Sequence, residues 1–274
     1  MIKKYFILCA AIGALFAEMN LHSVLIAFRV KGWQNKALRQ AVKKGDVSEV
    51  TKLIEQYKAN VNAKTTKNLR TPLHRASALE DSEIAEKLVK KLLAAGALPN
   101  AKDKFRKSPL HFACEWGVEG KGAVVKALIK AGSRLNDQSF YSKETPLHIA
   151  CARGSVDNVK ALINAGANPN VYSIYGVPLH RAFRFYQVDL SNKIGLFGEE
   201  KFFEIVKMLI RAGANPFIEN RHGEKALPYA ERKKFVQTIV PFKKDAIIKE
   251  TTFSIIETLL FSVTQGKKTN GDSK

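Results

Sequence analysis

The chain has 274 residues, of which 46% are hydrophobic, and it is therefore long enough to bury a substantial core. Its formal net charge of +20 at pH 7 favours acidic partners over basic ones, because the electric field of the whole protein attracts negative charges and repels positive ones. The charge does not choose between an acidic protein, nucleic acid and an anionic membrane surface, and it also keeps a protein soluble.

The N-terminal segment has the layout of a secretory signal. Two lysines precede an apolar run from Tyr5 to Ala17, and Glu18 follows it. A basic start and an apolar centre of about 7–15 residues are typical of export signals. Residues 1–20 are therefore predicted to be a cleaved signal that exports the protein, to the periplasm or beyond the cell. The alternatives are a single-pass membrane anchor over residues 5–28, in which Glu18 costs about 2.5–3.5 kcal/mol, and a helix packed on the domain that follows.

Four segments of the chain carry one signature, a hydroxyl residue or valine followed by proline, leucine and histidine. These segments are Thr71-Pro72-Leu73-His74, Ser108-Pro109-Leu110-His111, Thr145-Pro146-Leu147-His148 and Val177-Pro178-Leu179-His180. A hydroxyl at this place caps the first turn of a helix, and proline at the first helical position has no donor to lose. Each signature is followed by a glycine that ends a second helix, namely Gly96, Gly132, Gly166 and Gly213.

The unit from Thr145 to Asn170 is the most regular one. Its second helix carries Val156, Val159 and Leu162 at the spacing of an amphipathic segment. Two helices this short cannot bury their apolar faces alone, so the unit needs neighbours of the same kind on both sides.

This pattern resembles the ankyrin repeat, whose period is about 33 residues and whose mark is Thr-Pro-Leu-His. The resemblance covers roughly residues 35–240 and implies an all-α solenoid of helix-turn-helix units with hairpin fingers. We expect a domain over 31–240, with units near 35–66, 67–103, 104–140, 141–173, 174–219 and 220–240. The first unit resembles a polar cap, the fifth carries an insertion near 185–200, and the sixth is degraded.

The C-terminal pattern differs from the repeats. Residues 241–264 predict an amphipathic helix that covers the end of the stack, with a partner- or membrane-binding helix as the alternative. Residues 265–274 are polar and are predicted to be disordered.

The sequence does not predict an enzyme, a metal site or a cofactor. The four motif histidines occur once per unit, so helix spacings of about 8–10 Å keep them too far apart to share a metal ion. Cys114 and Cys151 each follow a motif histidine, but neither pair has an orienting third group. The same spacing predicts that both cysteines are free thiols, because a disulfide needs Cα atoms within about 7 Å.

The predicted function is a non-enzymatic scaffold that presents a basic, aromatic-containing concave surface to an acidic protein. The resemblance places partner contacts on the fingers and after the motif alanine. The residues expected there are Leu79, Lys104, Phe105, Arg106, Trp116, Tyr141, Arg153, Tyr175, Arg184 and Phe185. Aromatic and arginine side chains are enriched in binding hot spots. The alternative interpretation is that Trp116 packs under the loop of its own unit and that the lysines are solvated without contacting a partner.

The alternative function is binding of an anionic polymer or membrane surface through the same basic face. No motif supports nucleic acid specifically, and a membrane is expected only through the N-terminal segment. The protein is expected to be a monomer.

Overall fold

A computed structural model describes residues 33–116, 122–183 and 199–226. The predicted signal over 1–20, the helix over 241–264, the tail over 265–274 and most of the insertion near 185–200 lie outside these residues. Within the described ranges the regular secondary structure is helical, apart from two isolated β-bridges. No helix in these ranges is long and apolar enough to cross a membrane.

The helices alternate along the chain and form two layers. The first helices of successive units are α1 (Trp33–Lys44), α3 (Pro72–Ser77), α5 (Pro109–Glu115), α7 (Pro146–Ala152) and α9 (178–183). The second helices are α2 (Val47–Glu55), α4 (Ser82–Ala94), α6 (Gly122–Lys130), α8 (Val156–Asn164) and α10 (Glu199–Arg211). First helices from α1 to α7 pack on first helices of neighbouring units, and second helices pack on second helices. The predicted all-α solenoid of helix-turn-helix units is confirmed.

The signature residues begin the first helices as the sequence predicts. Thr145 is the N-cap of α7, Pro146 is its first residue, and the Thr145 hydroxyl accepts the N–H of His148 at 3.5 Å. The same hydroxyl donates to the imidazole Nδ1 of His148 at 2.8 Å, and that nitrogen also accepts the Thr145 N–H at 3.1 Å. The cap therefore uses the ring as well as the hydroxyl.

The second helices begin at acidic or small caps and vary in length. Asp46 accepts the N–H of Glu49 at 2.9 Å, and Asp81 accepts the N–H of Ile84 at 2.9 Å. Helix α4 has 13 residues, whereas α6 and α8 have 9 each. The second helix of the second unit is thus longer than those of the third and fourth units.

A continuous apolar core runs between the two layers. The motif leucines Leu73, Leu110, Leu147 and Leu179 occupy the same place in successive units, and each is 0% exposed. Burying one leucine side chain stabilises the fold by about 1.5–3 kcal/mol. The four leucines belong to one cluster of buried residues that spans the units, so a unit has a complete core only inside the stack.

The motif histidines join each unit to the next. In each ring, Nδ1 accepts a backbone N–H from the start of its own helix, so Nε2 carries the proton and donates it. The acceptor is a finger carbonyl of the next unit, with Nε2···O distances of 3.1 Å for His74–Lys107, 3.3 Å for His111–Glu144, 3.1 Å for His148–Gly176 and 3.0 Å for His180–Glu224. His180 keeps this arrangement even though Val177 offers its ring only a backbone N–H, at 3.1 Å.

A second set of bonds joins the units at the ends of the second helices. The side-chain amide of Asn62 donates to the Gly96 carbonyl at 3.0 Å and accepts the Leu98 N–H at 2.9 Å. Asn100 and Asn170 make the same pair of bonds to the units that follow them. Each asparagine therefore fixes the neighbouring helix end in place through two bonds.

The fingers are the loops that join successive units. They are finger 1 (60–71), finger 2 (97–108), finger 3 (133–145), finger 4 (167–177) and finger 5 (214–226). Each tip is closed by a local backbone bond, such as that from the Asp103 N–H to the Lys107 carbonyl at 3.0 Å. In the described residues these fingers contain no β-strand, so the predicted hairpins are turns rather than strand pairs.

Neighbouring fingertips are held together through the backbone. The Lys104 N–H donates to the Asn68 carbonyl at 2.9 Å, and the Phe140 N–H donates to the Phe105 carbonyl at 2.8 Å. The Ile174 N–H continues the row by donating to Ser142 at 3.1 Å. Fingers 1 to 4 thus form one connected row rather than four independent loops.

Candidate functional site

The histidines and cysteines are structural in this arrangement. Burial lowers the pKa of His74 to about 4, of His111 to about 3 and of His148 to about 4, so all three rings are neutral at pH 7. Cys114 and Cys151 are free and buried, which confirms the predicted free thiols, and burial raises the pKa of both thiols. No cluster of metal-ligating side chains occurs within 33–116, 122–183 and 199–226.

Aromatic side chains meet at the tips of fingers 2 and 3. The Phe105 and Tyr141 ring centroids are 6.0 Å apart, and those of Phe140 and Tyr141 are 5.0 Å apart in an edge-to-face arrangement. Phe140 is 49% exposed and Tyr141 70% exposed, whereas Phe105 is half-buried. We call Phe105, Phe140 and Tyr141 the aromatic group. An edge-to-face pair at this distance contributes about 0.5–1.5 kcal/mol beyond the burial of its area, which favours this arrangement of the rings.

The buried carboxylate of Asp103 shapes finger 2. Its Oδ1 accepts the N–H of Phe105 at 2.8 Å and that of Lys107 at 2.9 Å, and its Oδ2 lies 3.4 Å from Arg70 Nε. Arg106 lies between them with a φ of 59°, in the left-handed region. The carboxylate therefore holds a strained tip in one conformation, in which Lys104 and Arg106 are exposed.

Several basic residues of the fingers are neutralised inside the protein. The guanidinium of Arg70 lies 4.6 Å from the Phe112 ring centroid, and Lys107 Nζ lies 2.8 Å from a carboxylate oxygen of Glu115. The Arg70 contact is a cation–π interaction that covers a core phenylalanine. Lys102 of finger 2 pairs with Asp137 of finger 3. Outside the fingers, Arg181 of α9 lies 2.7 Å from Glu144 of finger 3.

Four other cations of fingers 1 and 2 are exposed and make no ion pair with the residues that the structure describes. They are Lys64, Lys67, Lys104 and Arg106, which we call the cation group. Lys104 and Arg106 flank Phe105, so the cation group and the aromatic group share finger 2. Unlike the paired residues, these charges are available to a partner without breaking an internal contact.

The remaining predicted contact residues occupy different environments. Trp116 ends α5 and is 54% exposed, and Arg153 ends α7 and is exposed. Leu79 is half-buried against the core, and Tyr175 is half-buried with the Arg181 guanidinium 4.4 Å from its ring. Trp116 and Arg153 thus present free surface, whereas Leu79 and Tyr175 take part in internal packing.

Two of the ten predicted residues and two further finger aromatics complete the comparison with the sequence. Arg184 and Phe185 lie outside the described residues. Phe140 was not among the ten expected residues, yet half of its surface is exposed beside Tyr141, and Tyr172 on finger 4 is 41% exposed. Both lie in fingers, where the sequence already places partner contacts.

Comparisons with known proteins agree with this geometry. Residues 85–173 match the family model for ankyrin repeats in three copies. An ankyrin repeat protein of fowlpox virus (strain NVSL) is 31% identical over 213 residues, which are 64% of this chain and 41% of that protein. The B-cell lymphoma 3 protein homolog of Mus musculus is 24% identical over 243 residues, which are 79% of this chain and 52% of that protein. The chain therefore spans about half or less of the length of these relatives.

One solved structure shows the same fold. An ankyrin repeat domain from Acinetobacter baumannii AYE superposes with a TM-score of 0.59 at 24% sequence identity, covering 83% of this chain and 97% of that one. Other relatives carry the matching repeats inside larger proteins, such as the mitochondrial disaggregase of Bos taurus, which is 32% identical over 136 residues covering 19% of its length.

Proposed function

Since this chain is an ankyrin repeat protein, and such repeats generally mediate protein–protein interaction, we propose that it is a non-enzymatic scaffold that binds an acidic protein partner on its finger row. The observation that carries the proposal is that the cation group, on fingers 1 and 2, adjoins the aromatic group, on fingers 2 and 3. Solvent-exposed aromatic rings beside unpaired cations combine apolar contact area with electrostatic attraction.

The fingers are suited to recognition because they are held in place before a partner arrives. The backbone bonds between fingertips and the carboxylate of Asp103 fix the tips. A preorganised surface loses less conformational freedom on binding than a mobile loop, so more of the contact energy appears as affinity.

Binding to a random copolypeptide of glutamate and tyrosine tests this proposal on the full chain. We expect Tyr141→Ala to weaken binding by about tenfold, because truncating a central aromatic anchor typically costs more than about 1 kcal/mol. Lys160→Ala, an exposed lysine of the second-layer helix α8 and not of a finger, is the control and should change little. The readout is fluorescence anisotropy of the labelled copolypeptide.

The four charges of the cation group favour a second candidate, an anionic polymer or an anionic lipid surface bound without aromatic anchoring. The two candidates differ in salt response, since binding to a phosphate backbone falls steeply with salt concentration. The scaffold proposal fails if raising salt from about 150 to about 500 mM abolishes all binding while Tyr141→Ala and Trp116→Ala leave the dissociation constant unchanged.

We also propose that residues 1–20 export the protein. The support is the basic and apolar layout of that segment. N-terminal sequencing of the mature protein is expected to start near residue 18, and a mature chain that still begins at Met1 would contradict cleavage.

A further inference from the structure

The described fingers differ sharply in charge along the row. Finger 1 has three basic and no acidic residues, and finger 2 has four basic residues and one acidic residue. Finger 3 has two of each sign, and finger 4 has no charged residue. The net charge of the row is therefore concentrated at fingers 1 and 2, where the cation group lies.

The exposed aromatic surface has the opposite distribution. Finger 1 contains no aromatic residue, finger 2 contributes the half-buried Phe105, and finger 3 contributes Phe140 and Tyr141. Finger 4 adds Tyr172, which is 41% exposed. Lys143 of finger 3 is exposed, and its Nζ lies 5.7 Å from the Phe140 ring centroid. Fingers 3 and 4 thus carry the exposed aromatic side chains of fingers 1 to 4 and have no net charge.

The backbone of the row is already engaged. The N–H groups of Lys104, Phe140 and Ile174 each donate to a carbonyl of the preceding finger. An added strand has few free backbone partners there, so recognition depends on side chains.

From these three observations we propose that the partner segment is bipartite, with an acidic block on fingers 1 and 2 and an apolar block on fingers 3 and 4. This inference rests on the scaffold function proposed above and specifies the chemistry of the partner. Neighbouring helices are about 8–10 Å apart, so two units separate the block centres by about 16–20 Å. An extended chain covers that distance in about five to six residues at about 3.3 Å each.

The test uses two synthetic peptides of identical composition. In the blocked peptide a run of glutamates is followed by two leucines and a tryptophan, with block centres about six residues apart. In the alternating peptide the same residues are interleaved. We expect the blocked peptide to bind the full chain at least about tenfold more tightly, because only it can place both kinds of side chain on complementary fingers.

Two variants connect each block to its finger. Lys67→Glu combined with Lys104→Glu should weaken the blocked peptide by about tenfold or more, since like charges then face each other. The matched control is Lys126→Glu combined with Lys130→Glu on α6, which changes the net charge equally at exposed positions away from the fingers. Circular dichroism verifies that all variants fold.

The outcomes separate the two proposals. Equal affinity for both peptides, with Tyr141→Ala still weakening each, overturns the bipartite partner and leaves the scaffold function standing. Failure of both peptides to bind at micromolar concentration, or equal weakening by the α6 control pair, overturns both. Tighter binding of the blocked peptide with loss confined to the finger variants supports the bipartite partner.

Discussion

Replacing Asn158 with valine is expected to stabilise the protein. Asn158 lies in α8, is 0% exposed, and neither its side-chain nitrogen nor its oxygen has a hydrogen-bond partner in the part of the chain that the structure describes. The residue stands eight positions before the helix-ending Gly166. The same position in the neighbouring second helices holds Leu88, Val124 and Ile205, each 0% or 1% exposed.

The size of the gain follows from the chemistry of a buried amide. An amide without a compensating hydrogen bond costs about 1–3 kcal/mol in protein mutational data, and valine has no polar group to desolvate. A gain of about 2 kcal/mol in the free energy of unfolding corresponds to a rise of about 4–8 °C in Tm for a domain of this size.

Urea unfolding followed by circular dichroism measures the effect, with calorimetry for Tm. Asn164→Val, at the exposed end of the same helix, is the control and should stay within about 0.5 kcal/mol of the parent. The reverse change Val124→Asn places the same amide in the neighbouring unit and should lower the midpoint. If Asn158→Val unfolds at the same or a lower urea concentration than the parent protein, the buried amide of Asn158 does not destabilise the fold.

Three further predictions concern pH, the fingertips and the thiols. In the folded state the pKa values of His74, His111 and His148 are lowered to about 4, 3 and 4. In the unfolded chain each histidine has the ordinary pKa of about 6.5, so below that pH the unfolded chain binds more protons than the folded protein. The contribution of these histidines to the free energy of unfolding is therefore fully present above that pH. It falls by about 4 kcal/mol in total between about pH 7 and pH 5.5. Urea midpoints that stay constant across this range would refute this prediction. Arg106→Gly should stabilise by about 0.5–1 kcal/mol in the same assay, because glycine adopts its φ of 59° without the steric cost of a side chain, whereas an unchanged or lower midpoint would contradict this. Cys114 should react with a thiol reagent only as fast as the chain unfolds, since burial raises its pKa and hides it; fast reaction in native buffer would show an accessible thiolate.

Local signals predicted the fold well. Thr145 and Pro146 identified the start of a first helix, and Gly166 has a φ of 88°, in the left-handed region that the end of a second helix requires. Helix α4 begins at Ser82 because the Asp81 side chain accepts the N–H groups of Glu83 and Ile84 there. Such signals involve residues within one turn of each other and can therefore be read directly from the sequence.

The candidate site depended on contacts that the sequence does not show. Arg70 and Lys107 have the same composition signal as Lys104, yet Arg70 lies against Asp103, which is 33 residues away, and Lys107 pairs with Glu115. Only the packed units decide which finger cations are neutralised. In the same way, Asn158 occupies a position on an amphipathic face, and only the structure shows that its amide is buried without a partner.

The histidine bonds between units have a consequence for how the molecule can be modified. The residues joined are 33 apart for His74 and His111, 28 apart for His148 and 44 apart for His180, yet the four bonds differ by at most 0.3 Å in length. The position of one unit on the next is thus set by the hydrogen bond from the histidine to the finger carbonyl, and not by the number of residues between these two groups. The stretch between α9 and α10 is consequently a natural place to graft a reporter peptide or a second recognition loop, since finger 5 docks on His180 across the longest separation of the four.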